Sequence, residues 1–136
     1  MSKSKLGSIF LVVFSLIILI PQCKDSGTGN DLNEIVFPAS NVSYAGQVEP
    51  LFLRGCAYSG CHDSQTIAAG LDLETYEQAI FSKPGVIIAG DTTNSRLIWS
   101  VTGKNNVPIM PLTRPPLNAN QVAGLKRWIL EGARNN

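Results

Sequence analysis

The sequence predicts an all-α domain of about three to four short helices joined by long loops, on three observations. No stretch alternates apolar and polar residues over the length that a half-buried strand needs. Several short runs repeat apolar residues at three- and four-residue intervals, as one face of a helix does. And 12 glycines and 8 prolines in 136 residues interrupt the chain often enough to keep those helices short.

Each element follows from local chemistry. Ser43 is placed to cap a helix whose apolar side is Val48, Leu51 and Phe52. Pro50 either kinks that helix or restarts it as a first-turn residue, and Gly55 ends it. A second helix is expected over Glu74–Phe81, with Tyr76, Ala79 and Ile80 inward. A third is expected over Asn94–Val101, with Leu97, Ile98 and Val101 on one side. The clearest is the last. Asn118 can cap it, Gln121 can return the bond as a capping box, and Val122, Leu125, Trp128 and Ile129 share a face before Gly132 closes it.

Composition narrows the function. The 11 Lys+Arg nearly balance 10 Asp+Glu, so no basic field gathers nucleic acid and no acidic run marks a disordered tail. One domain fits this length. A domain so small buries little of its surface and often leans on a staple, metal or cofactor.

The first 22 residues read as an export signal. Lys3 and Lys5 form a positive start, and Leu6 to Ile20 is uncharged but, at 15 residues, short of the ~20 that span a bilayer. Ile20-Pro21-Gln22-Cys23 then resembles a bacterial lipobox, whose cysteine becomes the lipidated first residue; the alternatives are an uncleaved anchor or cleavage nearby that leaves Cys23 a plain thiol. All place the rest outside the cytoplasmic membrane. Removing 1–22 takes two lysines and no acids, leaving a formal charge of −1. Residues 23–42 are expected to be the lipid-anchor site and a flexible tether, in which only Ile35-Val36-Phe37 could pack, and 43–136 the domain.

The chemistry sits in Gly55-Cys56-Ala57-Tyr58-Ser59-Gly60-Cys61-His62. Two thiols and an imidazole on one short loop match what covalent haem attachment needs: thiols to add across the two vinyl groups, and a histidine to reach the iron. Four residues separate the cysteines where two are usual, and the stretch resembles the accepted Cys-x4-Cys-His variant. His62 is the sole histidine in the chain. The competing readings are a structural disulfide between Cys56 and Cys61 and a zinc site using Cys56, Cys61 and His62. For a sixth iron ligand the candidate is Met110, held between Pro108 and Pro111; Lys104 is the other side chain of suitable type. Asp63 and Asp91 stand alone and read as loop-capping groups.

From Val48 to Ala133 the sequence resembles the cytochrome c superfamily, in particular the small haem domains called planctomycete-type cytochrome c. The likeness lies in Val48-Glu49-Pro50-Leu51-Phe52 ahead of Cys56, Cys61-His62-Asp63, and Ala69-Gly70-Leu71-Asp72-Leu73. It continues through Ala89-Gly90-Asp91 with Asn94-Ser95-Arg96-Leu97, Met110-Pro111 with Pro116-Leu117, and Gln121 through Trp128-Ile129 to Gly132-Ala133. Leu112 departs from it, standing where a second proline often follows the methionine. The resemblance implies a small monohaem cytochrome c-like fold, one covalent haem c, His62 as proximal and Met110 as distal ligand, and first and last helices crossing. The haem is then expected to gather Leu51, Phe52, Leu71, Leu73, Ile87, Leu97, Ile98 and Trp128 around itself.

The function expected first is single-electron transfer by an exported, lipid-anchored carrier in the bacterial cell envelope, periplasm-facing or on the outer membrane. Its partners would be envelope redox proteins, with no nucleic acid. Nothing in the sequence resembles a catalytic set, so a carrier rather than an enzyme is expected. A haem-based ligand sensor or peroxidase-like protein with an open sixth site is the second reading. A haem-free surface lipoprotein with a structural disulfide is the third.

Overall fold

The computed structural model describes residues 31–136; the expected export signal over 1–22, Cys23 and residues 24–30 lie outside the described residues. Four helices follow in order: α1 Glu49–Gly55, α2 Tyr76–Phe81, α3 Arg96–Thr102 and α4 Ala119–Leu130. A π-type turn over Tyr44–Val48 leads directly into α1, and 3-10 turns occupy Leu32–Glu34, Ala68–Gly70 and Lys104–Asn106. Among the described residues there is no strand. The fold is all-α, as expected.

The helix ends show where local chemistry decided. Ser43 Oγ accepts the Gly46 N–H at 3.1 Å and caps the combined turn and helix, while Pro50 sits in the first turn of α1, where a missing N–H is harmless. Helix α2 starts later than expected because Thr75, extended, takes the cap and accepts the Gln78 N–H at 3.2 Å. Helix α3 also starts later. Asn94 is held in a preceding loop, its backbone and side-chain N–H groups donating to the Asp91 carboxylate at 3.0 and 2.6 Å. These bonds, the side-chain one foremost, hold Asp91 below the usual carboxylate range. In α4 the capping box forms in both directions, Gln121 N to Asn118 and Asn118 N to Gln121, each at 3.0 Å. Gly132, at φ +98, then ends it, with Ala133 N donating to Trp128 O and Gly132 N to Ile129 O.

The core has two parts. All eight residues expected inside are buried. Of these, Leu51, Phe52 and Trp128 belong to a cluster that protein atoms complete by themselves. Tyr44 stands edge-on to Tyr76 at 5.1 Å and tilts over Trp128 at 5.8 Å, and Phe52 meets Trp128 edge-on at 6.3 Å. The Phe52–Trp128 contact joins α1 to α4 through side chains, whereas the backbone of α4 runs nearer to α3. Leu71, Leu73 and Leu97 form the second part and line a cavity.

The expected tether is a correction. Residues 31–42 are packed, with Ile35, Phe37 and Val42 buried. Asn120 of α4 accepts the Phe37 N–H at 2.8 Å and donates to its carbonyl at 3.0 Å. Glu131 accepts the N–H groups of Asn41 and Val42, both at 2.9 Å. Phe37 comes so close that a Cβ on Gly124 would fall 2.1 Å from its ring, so only glycine fits there. The packed unit therefore begins before Ser43. The segment escapes a sequence reading because its apolar residues are too few to show a period and its polar partners lie some 80–90 positions away.

Within the aromatic cluster, the Tyr44 hydroxyl is buried with no hydrogen-bond partner. Burial, with Glu49 and Glu77 nearby, pushes its pKa up, so it is a neutral phenol at all ordinary pH. An unbonded buried hydroxyl costs about 1–3 kcal/mol. Tyr44→Phe keeps the ring contacts and removes that cost. Thermal unfolding of the variant is expected to show an unchanged or higher midpoint; a clear fall would reveal a partner for the hydroxyl.

Candidate functional site

The site starts where α1 stops. Phe52 O accepts from both Cys56 N and Ala57 N, at 2.8 and 2.7 Å, turning the chain out of the helix. The loop then closes on itself. Cys61 N donates to Tyr58 O at 3.0 Å and His62 N to Cys56 O at 3.1 Å, with Gly60 at φ +88 making the bend. Beyond it, Thr66 N donates to Asp63 Oδ1 at 2.8 Å, and the hydrogen bonds from Thr66, its side chain first, hold Asp63 below the usual carboxylate range. Asp63 and Asp91 thus serve loops, as their isolation in the sequence suggested.

His62 is fixed from several directions. Its carbonyl accepts from Leu73 N at 2.9 Å, and its ring Nδ1 lies 3.1 Å from Ala68 O and 3.3 Å from Leu71 O. A carbonyl oxygen only accepts, so Nδ1 carries a proton, and in the neutral ring Nε2 is left with the lone pair. Ala68 is held in turn, its N–H donating to Cys61 O at 2.9 Å. The turn that presents it is strained, with Ile67 at φ +46 and Ala69 at φ +54. Left-handed backbone at residues with a Cβ costs on the order of 1–3 kcal/mol each, so the surrounding bonds must hold the turn.

Two apolar cavities, of about 150 and 390 Å³, meet at this loop. Cys56, His62, Ala69 and Met110 line both, so the two adjoin as halves of one site. The smaller half is walled by Leu71, Leu73, Val86, Leu97 and Val101, and the larger by Tyr58, Cys61, Pro111 and Leu112. Met110 reaches it on a strand of loop tied to α3 by Met110 N to Ser100 O, 2.9 Å. Lys104, the other sixth-ligand candidate, is exposed and lines neither half. The structure thus brings Cys56, Cys61, His62 and Met110 to one cavity; Cys23 lies outside the described residues.

The two thiols are free, so no disulfide joins Cys56 to Cys61. Burial, then the neighbouring Cys61, pushes the Cys56 thiol up to about 12 against a smaller opposing effect of Arg114, so it is a protonated thiol at neutral pH. Among the described residues no three His, Cys, Asp or Glu side chains gather as they would around zinc. The donor set suits a haem instead: an imidazole with one free nitrogen, a thioether, two thiols on one loop, and apolar walls.

A clasp that the sequence did not reveal ties the loop to the methionine segment. The Arg114 guanidinium lies 4.1 Å over the Tyr58 ring and donates to Arg54 O at 2.9 Å, and the Tyr58 hydroxyl bonds Thr113 Oγ1 at 2.7 Å. Tyr58 sits inside the longer spacing between the cysteines. The extra residues therefore carry a contact as well as slack. Only the presence of an aromatic there and an arginine shortly after Met110 hinted at it.

Residues 59–112 match the family model described as Planctomycete cytochrome C. The match supports a cytochrome c-like domain of the planctomycete type. It starts within the loop, at Ser59, and ends just past Met110, spanning Cys61, His62 and most of the cavity wall. No curated protein and no solved structure matches the chain.

The methionine segment depends on Gly103. It sits at φ +66, and a Cβ there would lie 2.7 Å from Ile109 Cγ1. Gly103→Ala is expected to destabilise by about 1–2 kcal/mol from the left-handed backbone alone. Amide resonances should move most over residues 107–111. Denaturant unfolding and a comparison of amide spectra check this; changes confined to α3 would contradict it.

Proposed function

We propose that the chain is an exported carrier of single electrons that holds one haem c covalently. The observation that carries the proposal is His62, held by its Nδ1 and lining the same apolar cavity as Met110 and both cysteines. Cys56 and Cys61 would hold the haem covalently as thioethers, and His62 and Met110 would supply the ligands to its iron. When bound, the haem supplies an iron that cycles between two oxidation states.

The chain's own contribution is positioning and exclusion. The Ala68 and Leu71 carbonyls orient the imidazole and, by accepting its Nδ1 proton, make it a stronger donor. The leucine and valine wall keeps water away, which limits solvent rearrangement when charge changes. Ser100 O and the Arg114–Tyr58 clasp hold the methionine segment against the loop. The export signal over 1–22 and a lipid on Cys23 would place the domain at the bacterial cell envelope, where redox proteins would be its partners. No helix among the described residues is long and apolar enough to cross a membrane.

The sixth site separates a carrier from a ligand sensor or peroxidase-like protein. With Met110 on the iron, reduced wild-type protein is expected to bind carbon monoxide weakly, and Met110→Ala to bind it at least about tenfold more tightly. The reduction potential of Met110→Ala should fall, because a thioether favours the reduced iron. Carbon monoxide titration of both reduced proteins decides. Equal affinities would overturn the carrier reading and favour an open site.

A further inference from the structure

Lys83 and Arg96 have no role in the site as described, yet both line the smaller half of the cavity. No other cation lines either half, and no aspartate or glutamate does. The remaining titratable groups there are Cys56, Cys61, Tyr58 and His62. Lys83 is half-buried and Arg96 exposed, so the two cations stand at the edge of an apolar space, where they suit anionic groups on its occupant.

Neither cation is used elsewhere. The sole ion pair among the described residues is Arg54–Glu34, at 3.9 Å. Lys83 Nζ donates to Ala69 O, which draws its stem along the cavity wall and leaves two of its three donors unspent. The Arg96 guanidinium, on the first residue of α3, has no hydrogen-bond partner among the described residues, and Leu97 beside it is buried in the wall.

The two halves of the cavity differ in the way a haem does. A haem carries two vinyl groups on one pair of rings and two propionate carboxylates on the other pair. Cys61 and Tyr58 line only the larger half, and Lys83 and Arg96 only the smaller. Thioethers at the cysteine loop therefore leave the carboxylates to the half that holds the cations.

We propose that Lys83 and Arg96 form a clamp for the two haem propionates, neutralising them at the mouth of the apolar cavity. This rests on the haem reading above. The clamp comes from two separate loops and helices, Lys83 just after α2 and Arg96 at the start of α3. Bound carboxylates would join these two elements to each other and to the cofactor.

The test uses matured full-length protein, with wild type, Lys83→Met, Arg96→Gln, the double variant, and the charge-keeping pair Lys83→Arg and Arg96→Lys. Lys126→Met, on the exposed side of α4, controls for net charge. Covalent haem is scored on a denaturing gel, and the midpoint potential is followed from acid to alkaline pH. Where propionates take up protons the potential bends upward. Loss of the cations removes what favours the ionised form, so the bend in the double variant should move to higher pH by about one unit. The single neutral variants should show part of that shift. The charge-keeping pair and Lys126→Met should follow the wild-type curve. Covalent haem with superimposable curves in the wild type and the double variant overturns the clamp and leaves the haem reading intact. An equal shift in Lys126→Met also overturns it. Absence of covalent haem in the wild type itself overturns both.

Discussion

The hydrogen bond from His62 Nδ1 to the Ala68 and Leu71 carbonyls is the contact on which the site depends. It fixes the ring's tautomer and orientation together, and it does so through backbone atoms that other bonds hold in place. Ala68 is tied to Cys61 O, and the next strand of loop is tied to His62 O through Leu73 N. One short network therefore sets the cysteine loop, the imidazole and the leucine wall relative to each other. The left-handed Ile67 and Ala69 are the cost of bringing that carbonyl over the ring.

The core divides the work. The aromatic cluster of Tyr44, Tyr76, Phe52 and Trp128 closes without any cofactor and ties the start of the packed chain to α4. The wall of Leu71, Leu73 and Leu97 faces the cavity and gains a full set of contacts only when something apolar fills it. The sequence-based expectation put both groups around the haem. In the structure only the second group lines the cavity. A scaffold that is partly self-sufficient can hold the loop in place while a cofactor is being attached.

The sequence was informative where chemistry is local. The capping box of Asn118 and Gln121, the stop at Gly132 and the burial of Leu97, Ile98 and Val101 all follow from neighbouring residues. The loop from Cys56 to His62 was legible for the same reason, since its residue types and spacing lie in one stretch. What escaped was long-range or made by backbone. Phe37 docks on Gly124 and Asn120 from far along the chain, and no periodicity announces it. The carbonyls that orient His62 carry no residue-type signal at all. Arg114 over Tyr58 was hidden likewise, because a cation and an aromatic ring more than fifty residues apart give no reason to be paired.

On the proposed reading Cys56 and Cys61 would be thioether anchors rather than free thiols once the protein is mature. Intact mass spectrometry under denaturing conditions, after maturation in a host with c-type haem attachment and treatment with an alkylating agent, tests this most directly. The account predicts the mass of the processed chain plus one haem, with Cys56 and Cys61 both unalkylated. A chain that sheds its haem on denaturation and takes up alkyl groups at both positions would contradict it.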